Sequence, residues 1–387
     1  MIFRIDKLGL AIGLLCAYGL TLPYATLRAN RIVQGEAVEL FAALPVWAAW
    51  LVFGATAAAT AVALLSVRPP ARLAAASAAL ATAFVCAGLA GGFLVPEENA
   101  YARVSPASGF WVLVFAFALL AADAIARMRP RPMTRLSYLA LAAAAVLAFL
   151  LLGIWSDLSI IREYSVRADV FWAEALRHVT LAIGSLLAAI LAGIPLGVLC
   201  ERKAGAGAVV LNSLNLIQTI PSIALFGMLI GPLAWIAANV PGAAAAGVSG
   251  IGMAPAFLAL FLYSLLPIVA NTVAGLDGVS GATREAARGI GMTSAQRLFR
   301  VEFPLAMPVI LTAIRIVLVQ NIGLATIAAL IGGGGFGTFV FQGLGQTAAD
   351  LVLLGAIPTV VLAFVSAVVL DALIETTAAA TGGKGTL

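Results

Sequence analysis

Apolar positions in this chain fall in long blocks with no polar face, unlike the stripe of a soluble amphipathic helix. Residues 139–155 are typical: Leu139, Ala140, Leu141 and the apolar residues after them leave no side of a helix for water. Crossing a hydrocarbon core takes about 20 such residues. Blocks of roughly that length lie at about 8–26, 46–67, 73–95, 109–126 and 136–155, and again at about 176–199, 207–231, 253–276, 305–331 and 352–376. They predict an all-α polytopic integral membrane protein with about ten transmembrane helices. Strands of a membrane barrel would alternate apolar and polar residues with a period of two, and these blocks do not.

Composition agrees, since 63% of the 387 residues are hydrophobic and 10% charged, whereas a soluble domain carries about 25% charged residues. The formal net charge of +5 would suit nucleic acid only if gathered on one face. The basic residues instead occupy short connections, which marks topology and excludes a nucleic-acid patch. Arg4, Lys7, Arg68, Arg72, Arg127, Arg129, Arg131, Arg135, Arg202, Lys203, Arg284, Arg288, Arg297, Arg300 and Lys384 share the side of the N-terminus, against Arg28, Arg31, Arg103, Arg162, Arg167 and Arg177 opposite. Positive charge collects on the cytoplasmic side, so both termini are expected there. Trp47, Trp50, Trp111, Trp155, Trp172 and Trp235 then fall near the outer interface, where an amphipathic ring is at home. The first block follows Arg4 and Lys7 and is longer than the core of a signal peptide, so it reads as an uncleaved span. Cys16, Cys86 and Cys200 lack metal-ligand spacing and read as packing residues.

The first five blocks are rich in Ala and Leu without a polar motif, while polar punctuation gathers beyond residue 170. This divides the chain into an N-terminal five-helix extension (1–155), a connector (156–172) and a C-terminal five-helix region (173–387). The connector interleaves charges with Ile160, Ile161, Tyr164 and Val170; it reads either as a loop or as a short helix lying on the outer surface.

The polar connection 277–304 can be read residue by residue. Gly291 can adopt positive φ and end a first short helix, and Thr293 with Gln296 forms a capping box that starts a second. Pro304 is expected to close that second helix before the membrane resumes. The product is a bracket of helix, glycine turn and helix on the cytoplasmic side, shaped to dock into a groove on another protein.

Glu285, Ala286 and Ala287, then Gly291, then Val301, Phe303 and Pro304 match in type and spacing the EAA loop of ABC importer permeases, which the chain therefore resembles. The resemblance extends over residues 170–376, through His178 to Leu181 with Val179 and Thr180 between, Gly193, Ile194, Pro195, Leu196 and Gly197, Gln218, Thr219, Ile220, Pro221 and Ser222, Leu262, Tyr263, Ser264, Leu265, Leu266 and Pro267, Asn271 and Thr272, and 331–337. It looks most like the permeases for glycine betaine, choline and related quaternary-ammonium osmoprotectants, which have a MetI-like core of five spans. The first five blocks resemble the N-terminal extension of some of these. The resemblance implies a bacterial inner-membrane protein that is a transport subunit and no enzyme. It also implies that Glu285, Ala286, Ala287, Gly291, Val301 and Pro304 couple the chain to separate cytoplasmic ABC ATPase subunits, which bind the ATP and Mg that this chain does not. A second permease copy or a homologue and an extracytoplasmic solute-binding protein, whose aromatic cage selects the cation, are the other implied partners besides lipid. An amino acid such as methionine is the alternative substrate. An ion-coupled secondary transporter is the alternative class, and would need paired ionisable groups at the bilayer midplane.

Pro221 and Pro267 sit inside apolar blocks, where each removes a backbone hydrogen bond. A broken helix can line a path, so Gln218, Thr219, Pro221, Ser222, Tyr263, Ser264 and Asn271 are candidates for one; packing between helices explains the same residues. Gly332, Gly334 and Gly337 have the spacing of a dinucleotide loop but follow no strand, so close packing or a flexible outer gate fits them better. Gly382, Gly383, Lys384, Gly385 and Thr386 lack the spacing of a phosphate loop and read as a disordered tail. Asp123, Arg315, Asp371 and Glu375 lie toward cytoplasmic ends, where they can reach water. His178, the single histidine, is expected to be interfacial or capping, because a metal site would need more ligands.

Overall fold

The structure, a computed structural model, describes residues 6–30, 33, 35–65, 67–95 and 101–380; the glycine-rich tail at 382–386 lies outside the described residues. The chain divides into two compact units, Met1–Val166 and Arg167–Leu387, and the division falls inside the connector read at 156–172. Among the described residues nine helical segments are long and apolar enough to cross a membrane. The first block is a shorter apolar helix of 15 residues.

The first unit runs α1 (Lys7–Thr21), β1 (Ala25–Arg28), β2 (Glu36–Val38), α2 (Leu40–Ala43), α3 (Val46–Leu64), α4 (Pro69–Leu94), β3 (Arg103–Pro106), α5 (Ser108–Met128), α6 (Pro132–Leu151) and α7 (Ser159–Val166). Asp6 caps α1 by accepting from the Leu8 and Gly9 amides, while prolines that need no donor open α4 and α6. Small residues bring these helices close: a Cβ on Gly9 would lie 1.8 Å from the Ala63 carbonyl oxygen. The fully buried Arg72 of α4 bridges Asp6 and Asp123, each at 3.0 Å, and Arg127 closes the square onto both carboxylates. Asp123 is thus locked inside an ionic knot rather than reaching for water.

The connections between these blocks carry a three-stranded antiparallel sheet in the order β2-β1-β3, with Ala25 opposite Val38 and Pro106, which the apolar pattern did not predict. Strands of three or four residues are too short to show an alternation in the sequence. Trp155 is buried within this unit: it stacks on Phe84 at 5.3 Å and donates Nε1–H to the Phe84 carbonyl. The connector forms α7, held on β3 by an Arg162 bond to the Ala102 carbonyl and a Leu158 bridge to Val104.

The second unit comprises α8 (Ala168–Arg202), α9 (Ala204–Thr219), α10 (Ser222–Asn239), α11 (Met253–Asp277), α12 (Gly281–Gly289), α13 (Ser294–Arg297), a π-turn (Leu298–Glu302), α14 (Phe303–Ile327), a 3-10 turn (Ala328–Ile331), α15 (Gly337–Gly345) and α16 (Ala349–Ala380). The block at 207–231 is therefore not one helix but two, broken at Ile220 and Pro221. Leu181, Ala182, Phe226, Ala259, Leu260, Ile322 and Ala325 bring α8, α10, α11 and α14 into one core. Gly193 and Gly197 let α8 meet α11, since their Cβ atoms would sit 2.9 Å from Ile268 Cγ2 and 2.6 Å from Thr272 Cβ.

At the centre of this packing lies Asn321, fully buried. Its amide donates to Ser264 Oγ at 2.9 Å and Ser185 Oγ at 3.0 Å, tying α14 to α11 and α8. Both serines also donate to carbonyls one turn back in their own helices. Both hydrogens of the Asn321 amide are thereby used, as burial in an apolar medium demands. Arg315 of α14 pairs with Asp371 of α16, so these two ionisable groups also have a local partner.

Candidate functional site

The bracket at 277–304 folds as its residues dictate. Ser280 caps α12 by accepting from the Thr283 amide. Gly291 takes φ +82° just after α12. Its amide reaches the Arg288 carbonyl and that of Met292 the Ala287 carbonyl, a Schellman closure that a residue with a Cβ would strain. Thr293 and Gln296 form the reciprocal capping box that opens α13.

Pro304 does not end the second helix. The chain stays helical from α13 through the π-turn into α14, with Pro304 in the first turn of α14. The proline cannot donate to the carbonyl four residues back and its ring crowds it. One wider turn, marked by the Phe303 amide bonding to the Leu298 carbonyl, accommodates the ring without a break.

Of the loop residues, Glu285, Ala286 and Gly291 are exposed, Val301 and Pro304 half-buried, and Ala287 buried, anchoring α12. Ile290 and Phe299 are 74% and 69% exposed, so α12 and the turns beside α13 present apolar side chains between Glu285, Arg288 and Arg300. Beneath that face lies an ionic cluster the sequence did not reveal. Glu302, 3% exposed, accepts from Arg297 Nε at 2.7 Å. Arg284 reaches Glu201 at 3.2 Å, donates to the Leu276 carbonyl at 2.6 Å and places Nε 3.8 Å from Glu302. Glu201 and Glu302 lie 101 positions apart with no shared pattern; the one local signal was the spacing of Arg297 and Glu302 ahead of Pro304.

The path candidates divide. Pro267 lies inside α11 and deprives the Tyr263 carbonyl of its donor four residues on; the Gln218 side chain supplies one at 2.8 Å. In return the Tyr263 hydroxyl donates to the Ile220 carbonyl at the Pro221 break. Each interruption is thus bridged by a side chain from beside the other, which is how broken helices persist in a membrane. Ser264 is sealed in the Asn321 knot, and Asn271 donates to the Pro267 carbonyl at 2.8 Å. Pro221 and Thr219 are exposed and Ser222 half-buried around the α9–α10 break.

At the other end of the unit, Gly332, Gly334 and Gly335 have φ of +77°, +75° and +87°. They form a turn held by α8: Glu174 accepts from the Gly335 amide at 2.5 Å, and His178 Nδ1 from the Phe336 amide at 3.3 Å. His178 is therefore fully buried, against the Phe336 ring at 4.9 Å, and its capping contact is with the start of α15 rather than with its own helix. A Cβ on Gly337 would fall 1.8 Å from the Thr326 carbonyl oxygen, so close packing is required there. Among the described residues no group of His, Cys, Asp and Glu could hold a metal ion.

Comparison with known proteins identifies the family. Residues 193–377 match the family described as binding-protein-dependent transport system inner membrane component, and residues 6–161 match the ABC transporter permease YehY, N-terminal domain. The osmoprotectant import permease protein OsmW of Salmonella typhimurium is 46% identical over 187 residues, covering 48% of this chain and 80% of that protein. The chain belongs to the binding-protein-dependent ABC importer permeases. The choline transport system permease protein OpuBB and the glycine betaine/carnitine/choline transport system permease protein OpuCB, both of Bacillus subtilis, are 40% and 38% identical to this permease, each over 49% of it and 79% of themselves. A solved structure of the MetNI methionine ABC transporter in an inward-facing conformation is similar at 21% identity and TM-score 0.47, covering 54% of this chain and 95% of that one. The permease is accordingly a multi-pass inner-membrane transport subunit whose family works with ATPase and solute-binding partners, and its N-terminal unit has a family of its own.

Proposed function

We propose that this permease imports a quaternary-ammonium osmoprotectant such as glycine betaine or choline, driven by ATPase subunits that dock on the bracket of α12 and α13. The observation that carries the docking reading is the exposed face itself. Two large apolar side chains, Ile290 and Phe299, stand in water between charges on a segment fixed by two caps, which is the form of an anchor awaiting a pocket. Glu285, Ala286 and Gly291 share that face, while Ala287, Val301 and Pro304 hold its base. The substrate reading rests on the relatives at 38–46% identity, all of which carry osmolyte names.

In this account ATP and Mg stay on the ATPase, a second permease copy or homologue completes the path, and both termini lie in the cytoplasm. Nucleotide-driven closure of the ATPase pair moves the docked brackets as levers and switches access from one side of the membrane to the other. The residues around the α9–α10 break line part of the path, and the glycine turn at 332–336 is its outer gate, closed by Glu174 and His178. Selectivity belongs to the binding protein, since a conduit must release what it accepts. Co-expression with the ATPase in cells lacking other betaine importers tests both halves. The chain should co-purify with the ATPase and confer uptake of labelled glycine betaine, and Ile290→Asp should abolish both. Co-purification and uptake unaffected by Ile290→Asp would refute the docking site.

A further inference from the structure

The bracket meets the membrane helices through a cluster of the half-buried Glu201, Arg284 and Arg297 around the buried Glu302, and we propose that this cluster is the joint that carries the bracket's motion into them. The proposal rests on the docking reading above.

Each member comes from a different element. Glu201 ends α8, Arg284 sits mid-way along α12, Arg297 ends α13, and Glu302 belongs to the π-turn that runs into α14. Arg284 adds α11 through the Leu276 carbonyl at 2.6 Å. One group of side chains thus gathers the cytoplasmic ends of three core helices and both halves of the bracket. The rest of α12 is exposed apart from Ala287, Thr283 and Arg284 itself, so Arg284 is its principal tie to α8 and α14. Glu302 resists separation from its arginines, because parting them leaves an unpaired ion out of water. A push on α12 is therefore delivered to α8, α11 and α14 together.

The π-turn is part of the device. Arg297 and Glu302 stand five positions apart, which on an α-helix would put them about 140° apart around the axis. The extra residue of the π-turn brings them to one side at 2.7 Å, and the ion pair in turn holds the wide turn that Pro304 requires. Arg284 Nε has no hydrogen-bond partner and lies 3.8 Å from Glu302, so the guanidinium leans toward Glu201 in this arrangement with a second acceptor close by. A small displacement of α12 exchanges one carboxylate for the other while keeping the charge paired. These four are positioning residues, as none of them faces a substrate path.

The test uses the complete transporter in proteoliposomes, with permease, ATPase and binding protein, and glycine betaine as the probe. Solute imported per ATP hydrolysed is measured for Glu302→Gln, Arg297→Met and Glu302→Asp; Arg297 is less buried, so its variant guards against a folding failure at Glu302. The first two should retain the ATPase and hydrolyse ATP at close to the wild-type rate while import per ATP falls by about tenfold, and Glu302→Asp should recover most of it. Import and hydrolysis falling in proportion, an unchanged ratio, or loss of the ATPase from the variants would overturn the joint. Failure of the wild-type chain itself to retain the ATPase would instead overturn the docking reading on which the joint depends.

Discussion

Gln218→Met should destabilise the second unit only because Pro267 is present. The methionine keeps the length and apolar stem of glutamine but cannot donate, so the Tyr263 carbonyl loses the bond of 2.8 Å that replaces its missing helical partner. An unpaired buried acceptor costs about 1–3 kcal/mol, while side-chain bonds measured in membranes average about 0.6 kcal/mol. Gln218 is half-buried, which sets the expected penalty near 1 kcal/mol, roughly a fivefold shift in the folding equilibrium. In a Pro267→Ala background the backbone N–H restored at that position can serve the Tyr263 carbonyl from within α11, and the penalty of Gln218→Met should fall to about 0.3 kcal/mol or less. Reversible unfolding of the four proteins in mixed micelles, followed by tryptophan fluorescence, gives the coupling energy directly. Equal penalties in both backgrounds would refute the reasoning, and so would no penalty in the parent.

Asn321→Ala should cost about 1–2 kcal/mol rather than more, since Ser185 and Ser264 keep their own helical acceptors and only the interhelical bonds and a small volume are lost; a thermal unfolding scan in detergent checks this. Gly337→Ala should abolish correct folding, judged by size-exclusion profile, because its Cβ would overlap the Thr326 carbonyl, whereas Gly281→Ala, with nothing within 4 Å, should be tolerated. Glu174→Gln should weaken the hold on the turn at 332–336 and raise amide exchange at Gly335 and Phe336 without altering the exchange of α11. Burial tends to raise the Asp6 carboxyl, but the Gly9 amide, Arg127 and Arg72 outweigh it and hold the group below its ordinary 3.8. A depressed folded value means the stabilisation is present above about pH 3.8 and is lost as pH falls through the folded value; Asp6→Asn should therefore flatten the acid limb of the stability profile.

The spans were legible because lipid imposes a length and an apolar content that a window of sequence displays. The caps were legible for a related reason: Gly291, Thr293 and Gln296 act on backbone within a few residues of themselves. What the sequence hid were interactions between distant positions. Asn321 gave no sign that it meets Ser185 and Ser264, and Glu201 none that it shares Arg284 with Glu302. Gln218 and Tyr263 were singled out as polar residues in apolar blocks, yet their bonds are to each other's interrupted backbone, which only the packing of α9 on α11 discloses. Pro304 misled because a proline's cost was read against an α-helix alone, and a π-turn lowers it. The sheet in the first unit escaped because three short strands leave no periodic trace.

The docking of the bracket carries the whole account, and the chain offers a direct way to test it, since Cys16, Cys86 and Cys200 are all buried. A cysteine placed at Ile290 can be labelled with a membrane-impermeant maleimide in vesicles of known orientation. The account predicts labelling in inside-out vesicles only, and protection when the ATPase is bound. Labelling from the outer face, or labelling inside that the ATPase leaves untouched, would contradict it.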